Sequence, residues 1–97
     1  MGKLESSLET TFIGLAHKNF YLCLNLVAVG NYGFPDRACI GLNRKIFFVE
    51  LKKKGKQAQA RQAYWQRQLK RMGFNSYVCD NKEDAIGIFK TERGLGK

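Results

Sequence analysis

A carboxylate and an ammonium group emerge together from one strand-like segment in the middle of the chain. Because side chains alternate between the two faces of a strand, Glu50 and Lys52 lie on one face of the segment 45–52. Asp36 follows Pro35 at the start of the preceding strand-like segment, and a β-hairpin between the two segments would bring Asp36 beside Glu50. Two carboxylates can hold Mg²⁺ or Mn²⁺, and a lysine can orient an attacking water or stabilise negative charge. The pattern predicts metal-assisted cleavage of phosphodiesters, although an ion pair of Glu50 with a nearby lysine would explain Glu50 and Lys52 alone.

The positive charge of the chain is concentrated around this segment. The 97 residues include 17 Lys and Arg against eight Asp and Glu, a formal net charge of +9 at pH 7. Residues 44–71 contain ten of the basic residues and one acid, so this segment accounts for the whole excess. Such a surface is typical of a protein that binds a polyanion, with nucleic acid a better match than a membrane. The residues predicted to contact the phosphates of such a polyanion are Lys53, Lys54, Lys56, Arg61 and Lys70.

Length and cysteine content exclude several classes of protein. A chain of 97 residues is expected to form one domain, residues 1–97, which excludes a two-domain enzyme. The three cysteines are far apart and form no CxxC pair, so a zinc site of the usual spacing is excluded and unpaired thiols are expected. No apolar run approaches the roughly 20 residues that cross a bilayer, and we expect a cytoplasmic protein without a membrane partner.

Hydrophobic periodicity and turn residues predict seven elements in the order α-β-β-β-α-β-α. Such an order favours an α/β fold in which helices flank a mixed β-sheet. Gln62 shares the apolar stripe of the second helix with Trp65 and Met72 and should therefore point toward the sheet. Asp80 or Asn81 should cap the last helix, which is expected to end at Phe89 before a flexible tail, residues 91–97. The predicted elements are helix 3–18, strand 20–29, hairpin strands 36–40 and 45–52, helix 57–72, strand 76–79 and the last helix.

The joint spacing of these residues resembles a known family. The segment 33–36 with its Pro35-Asp36 pair, the segment 48–52, and Gln62 on the following helix resemble the VRR-NUC domain of the PD-(D/E)xK nuclease superfamily, standalone phage or bacterial type. The resemblance implies a restriction-endonuclease-like core and a divalent-metal-dependent endonuclease acting on branched DNA such as Holliday junctions. It also implies a homodimer, in the cytoplasm of a bacterium or of a phage-infected host cell.

The resemblance assigns roles to individual positions. It makes Asp36 and Glu50 metal ligands, with the main-chain carbonyl of Leu51 as a third. It makes Lys52 the catalytic lysine, and it matches Gln62 to a glutamine whose side chain supports the site.

The family also places a glutamate of the first helix at the edge of the metal site. Glu5 and Glu9, one helical turn apart, both match this position, and Glu5 is favoured because of its distance from Asp36. The loop 53–57 departs from the family because it lacks the usual proline and is more basic. This difference leaves the ligand positions in place.

A rival interpretation is a non-catalytic basic module that binds nucleic acid. Asp36 and Glu50 would then only pair with lysines. Such a module would never cut DNA and should bind it more tightly once Glu50 is neutralised, whereas a nuclease needs the carboxylates and the metal for turnover.

Overall fold

The computed structural model describes residues 6–26, 33–52 and 60–95. These residues form the predicted succession of helices and strands. None of the described helices is long and apolar enough to cross a membrane. The elements are α1 (Ser6–Lys18), β1 (Leu22–Asn25), β2 (Arg37–Ile40), a 3₁₀ turn (Leu42–Arg44), β3 (Ile46–Leu51), α2 (Ala60–Arg71), β4 (Asn75–Cys79) and α3 (Lys82–Leu95).

The four strands form one mixed sheet in the order β1-β2-β3-β4. β2 pairs antiparallel with both β1 and β3, so the predicted hairpin is confirmed. β3 pairs parallel with β4, because α2 carries the chain from one end of the sheet back to the other. β3 is therefore a central strand that is held by a partner on each side.

The main core lies on the face of the sheet that α1 and α3 cover. Phe47, Val49 and Leu51 alternate along β3 with half-buried residues and are at most 2% exposed. The ring of Phe47 lies 5.6 Å from that of Phe89 in α3, which in turn lies 5.1 Å from Phe12 in α1. Burial of these side chains fixes which face of β3 is turned toward α1 and α3.

α2 covers the opposite face of the sheet through a layer of aromatic side chains. The ring of Phe34, just before β2, lies 5.1 Å from Trp65 in α2 and 5.8 Å from Phe48 in β3. Phe74 extends the layer at 5.8 Å from Phe48. Met72, which was expected on the same inward stripe, is 67% exposed, so that expectation is wrong.

The last helix is longer than its sequence suggests. α3 continues through Leu95, so the predicted end at Phe89 is wrong and residues 91–95 are helical. Glu92 is only 6% exposed and accepts hydrogen bonds from Asn75 Nδ2, at 2.8 Å, and from the Tyr77 hydroxyl. These bonds to β4 satisfy a buried carboxylate that looks like a tail residue in the sequence.

The first turn of α3 resolves the choice between two possible caps. The backbone N–H of Asp84 donates to Oδ1 of Asn81 at 2.7 Å, so Asn81 is the N-cap. At the C-terminal end of α2, Gly73 has a φ of 94°, as expected for the glycine that ends this helix.

Close packing of Gly33, which precedes β2, against Arg61 sets the position of α2. Gly33 has a φ of 87°, and a Cβ atom at this position would lie 2.7 Å from the backbone carbon of Arg61. Real Cβ atoms do not approach backbone this closely, so only glycine permits the contact. The first turn of α2 is thereby placed beside the residues that lead into β2.

We expect Gly33→Ala to lower the free energy of unfolding by about 1 to 3 kcal/mol, because alanine is strained at positive φ and its Cβ would push α2 away. Gly87→Ala is the matched control, since a Cβ atom added to Gly87 in α3 would meet no other atom within 4 Å. That control should stabilise the protein by about 0.5 to 1 kcal/mol. Urea unfolding monitored by circular dichroism measures both effects, and equal midpoints for the two variants would contradict the packing argument.

Candidate active site

The hairpin register brings two carboxylates together at one end of the sheet. Arg37 pairs with Val49 across β2 and β3, so extending the antiparallel register by one residue places Asp36 opposite Glu50. Oδ1 of Asp36 accepts a hydrogen bond from the backbone N–H of Leu51 at 3.3 Å. Pro35, which is buried, leads the chain into this position. The predicted proximity of Asp36 and Glu50 is therefore present in the structure.

Glu50 is held on the α2 side of the sheet with one oxygen left unpaired. Its Oε2 accepts a hydrogen bond from Nε2 of Gln62 at 3.2 Å, so Gln62 points toward the sheet as its spacing predicts. Its Oε1 is buried and has no hydrogen-bond partner among the described residues. A buried carboxylate oxygen without a partner is unfavourable unless another group satisfies it.

Burial raises the pKa values of both carboxyl groups, and repulsion by Asp36 adds to the effect at Glu50. The pKa of Glu50 is raised to about 7, first because burial removes solvent from the carboxylate and second because Asp36 is nearby. Burial also raises the pKa of Asp36, against the lowering effects of the Leu51 N–H and the Arg37 guanidinium. The site therefore favours a proton, or another cation, between the two carboxylates.

Lys52 emerges at the end of β3 on the same face as Glu50. The main-chain N–H of Lys52 donates to the carbonyl of Cys79 at 2.9 Å, which extends the pairing of β3 with β4 by one residue. The Lys52 ammonium lowers the pKa of Glu50, although less than burial and Asp36 raise it. The arrangement thus combines two anionic groups that can bind a cation with one ammonium that can face an anionic substrate.

The donor set fits a hard divalent cation. Two carboxylates, one with a buried and unpaired oxygen, are the oxygen ligands that Mg²⁺ and Mn²⁺ prefer. Within residues 6–26, 33–52 and 60–95, no group of three His, Cys, Asp or Glu side chains is placed to hold a metal. The assignment of the Leu51 carbonyl and Glu5 as further ligands stays a prediction from the resemblance. Glu5 lies outside the described residues.

Glu9, the alternative to Glu5, is engaged elsewhere. Its Oε2 accepts a hydrogen bond from Nη2 of Arg37 and forms an ion pair with it. Arg37 is only 5% exposed and also donates to Oδ1 of Asn25. The sequence interpretation missed Arg37, although its position next to Asp36 on the alternating strand β2 already turns it toward the opposite face. Arg37 neutralises Glu9 and supplies positive charge beside Asp36.

The predicted DNA-contacting residues fall into two groups. Lys53, Lys54 and Lys56 lie outside the described residues. Arg61 and Lys70 are exposed at opposite ends of α2, and Lys70 borders a groove between α2 and β4. Arg67 borders the same groove, and the described residues that line it include no Asp or Glu.

The three cysteines are free, as expected from the sequence. Cys23 and Cys39 are directly opposite each other in β1 and β2. Cys79 is buried, which raises the pKa of its thiol to about 11. None of the three side chains takes part in the arrangement around Glu50.

The raised pKa of Glu50 makes the stability of the protein depend on pH. Glu50 binds its proton more tightly in the folded state, so its stabilising contribution is complete below the unfolded pKa of 4.5 and is lost as pH rises through about 7. We expect urea midpoints measured in EDTA to fall more from about pH 5 to about pH 8 in the wild type than in Glu50→Gln. Parallel pH profiles for the two proteins would contradict this interpretation.

Comparison with known proteins supports the resemblance at the level of the fold. A search of solved structures finds a chain described as "VRR_NUC domain", which superposes with a TM-score of 0.80 and covers 89% of this chain and 94% of its own length. The two sequences are 20% identical over this region, so the likeness concerns the fold. No family model and no curated protein matches the sequence. The chain therefore has the fold of a VRR_NUC domain, with the Asp36 and Glu50 carboxylates side by side at one end of its sheet.

Proposed function

We propose that the protein is a divalent-metal-dependent endonuclease that hydrolyses phosphodiester bonds in branched DNA. The observation that carries the proposal is the half-buried Glu50 carboxylate beside Asp36, whose buried Oε1 has no hydrogen-bond partner among the described residues. Repulsion by Asp36 contributes to the raised pKa of Glu50, and a divalent cation bound by both carboxylates would offset this repulsion. The nuclease fold supports the same conclusion, since a VRR_NUC domain structure superposes over most of the chain.

Each residue of the site has a distinct part in this proposal. Asp36, Glu50, the Leu51 carbonyl and Glu5 would hold Mg²⁺ or Mn²⁺, which when bound offsets charge on the phosphate and lowers the pKa of a water. Lys52 would orient the attacking water and stabilise negative charge that develops on the phosphate. Gln62 would keep the Glu50 carboxylate turned toward the metal through their hydrogen bond.

The basic surface along α2 would hold the DNA backbone near this site. α2 contains Arg61, Arg67, Lys70 and Arg71 and has no acidic residue. Gln62 lies in the first turn, whereas Arg67 and Lys70 are one to two turns farther along, at about 5.4 Å per turn. Lys53, Lys54 and Lys56, which lie between β3 and α2 in the sequence, would extend this contact. Phosphate contacts of this kind confer affinity without base readout, so binding should weaken steeply with salt.

A homodimer would suit a branched substrate such as a four-way junction. A two-fold symmetric protein presents two equivalent sites to the two equivalent strands of a junction. Leu22 and Leu24 support such an assembly, because they are 61% and 44% exposed on one face of β1, the outermost strand of the described sheet. Burying such side chains in an interface is favourable.

The activity is tested by cleavage of a labelled four-way DNA junction, with linear duplex DNA as the comparison substrate. With Mg²⁺ or Mn²⁺ the wild type should nick the junction symmetrically, and EDTA should abolish the reaction. Lys52→Ala should lower the rate by about 100-fold or more, because it removes a charge that acts on the transition state. Lys82→Ala, which removes an exposed lysine of α3, is the matched control and should keep full activity.

The rival binding module predicts a different pattern in the same experiment. Wild type and Lys52→Ala would both bind DNA in a salt-sensitive way, neither would cut with any metal, and Glu50→Gln would bind more tightly. This pattern would refute the nuclease.

The dimer is tested by sedimentation velocity at micromolar protein concentration. The wild type should sediment as a dimer, and the double variant Leu22→Arg/Leu24→Arg should sediment as a folded monomer, because charged side chains cannot be buried there. Leu42→Arg, a change of an equally exposed leucine outside β1, is the control and should remain dimeric. A monomeric wild type would refute this part of the proposal.

A further inference from the structure

An exposed apolar surface lies at the end of the molecule where α1 and α3 finish. Phe20, Leu42 and Ile86 are 74%, 66% and 39% exposed. They belong to two shallow cavities, one between α1 and α3 and one beside the 3₁₀ turn, which share Asn19 and Arg93 as a common wall. Nη1 of Arg93 donates to Oδ1 of Asn19 at 3.3 Å and so joins the ends of the two helices. We call this area the Phe20 surface.

Positive charge surrounds these apolar side chains. Lys18, Lys90 and Arg93 line the cavity between the helices, and Lys45 and Arg93 line the cavity beside the turn. Among the described residues that line the two cavities, there is no Asp or Glu. Glu83 and Asp84 lie in the first turn of α3, one turn before Ile86, and do not line either cavity, whereas Glu92 is buried against β4. The Phe20 surface is therefore apolar at its centre and cationic at its edge.

The backbone conformation at this end of the molecule is unusual. Phe20, Asn43 and Arg44 are the non-glycine residues with positive φ in the described chain, at 66°, 59° and 64°. Phe20 follows α1 at the position where glycine is usual, since its N–H donates to His17 O at 3.0 Å and the N–H of Tyr21 donates to Ala16 O at 2.8 Å. A left-handed conformation is unfavourable for a bulky side chain.

The exposed ring of Phe20 does not offset this strain within the fold. At 74% exposure the ring buries little apolar surface, so a glycine at this position would serve the helix end better. Strained backbone that the fold itself does not need is found preferentially at binding sites.

We propose that the Phe20 surface is a docking site for an acidic protein segment that carries apolar side chains. Carboxylates of the segment would pair with Lys18, Lys90 and Arg93, and its apolar side chains would cover Phe20, Leu42 and Ile86. Leu42 and Ile86 are aliphatic, and a phosphate backbone would leave them uncovered, which favours a polypeptide over nucleic acid. A second copy of this chain is disfavoured at this surface, because a two-fold contact would bring the cationic edges of two Phe20 surfaces together.

Docking here would leave the candidate active site open. Leu42 follows the end of β2, whereas Asp36 precedes the start of the same strand. Asp36 and Glu50 also face α2, while the cavity that holds Ile86 lies between α1 and α3, on the other face of the sheet. The proposal therefore concerns a second site and does not depend on nuclease activity.

The test measures binding of a synthetic peptide to the whole chain by fluorescence anisotropy. In the labelled peptide, Glu and Asp alternate with Leu and Phe, and a second peptide has Lys in place of every acid. We expect the acidic peptide to bind and the basic one not to bind. Lys90→Glu should weaken binding about tenfold, whereas Arg71→Glu, the same charge change on α2, should leave it unchanged.

Phe20→Gly separates a docking role of the ring from a structural one. If the ring serves docking, the variant should weaken peptide binding about tenfold and raise the melting temperature by about 4 °C or more, because glycine relieves the left-handed strain. A lower melting temperature would mean that the ring supports the fold, which would overturn the proposal.

Three other results would also overturn it. The first is absence of binding by the acidic peptide, or equal binding of both peptides. The second is dissociation of a wild-type dimer by Phe20→Gly, which would assign the surface to a second copy of the chain. The third is loss of duplex DNA binding by Phe20→Gly that matches its loss of peptide binding, which would assign the surface to nucleic acid. A failure of DNA cleavage would refute only the nuclease and would leave these peptide results unaffected.

Discussion

The Glu50 carboxylate is held half-buried on the central strand β3, and the rest of the structure is arranged around it. The opposite face of β3 supplies Phe47, Val49 and Leu51 to the core, so the strand cannot rotate to expose Glu50. One carboxylate oxygen is paired with Gln62 and the other is not paired within the described residues. Burial of these core side chains therefore holds the Glu50 carboxylate in surroundings where its charged form is unfavourable.

Three packing relationships keep this arrangement in place. The β2–β3 register sets Asp36 opposite Glu50. The contact of Gly33 with Arg61 places the first turn of α2, and therefore Gln62, over the end of β3. The aromatic layer of Phe34, Phe48 and Trp65 fills the space between α2 and the sheet. Together these contacts keep the two carboxylates close to each other.

Charge is distributed unequally over the two sides of the sheet. On the side of the sheet that α1 covers, Arg37 forms an ion pair with Glu9. The Arg37 guanidinium also lowers the pKa of Asp36, although burial raises it more. On the other side, α2 presents only basic charged residues. An anionic strand would be attracted to the α2 side, where the candidate site lies, while the α1–α3 end keeps an apolar surface with a cationic edge. The α2 side of the sheet and the Phe20 surface therefore suit partners of different chemistry.

The order of the elements, the mixed sheet and the residues that meet at the candidate site were predictable from the amino-acid sequence. These features follow from local rules. Side chains alternate along a strand, which places Glu50 and Lys52 on one face, and helical spacing predicts that Gln62 points toward the sheet. Gly73 marks the end of α2. Other features arose only from contacts between distant parts of the chain. The buried bonds from Tyr77 and Asn75 to Glu92 extended α3 beyond Phe89, and the ion pair with Arg37 engaged Glu9. Each of these outcomes depends on a partner far away in the chain, because a buried polar group must be paired and a local sequence pattern does not show which partner the fold will supply.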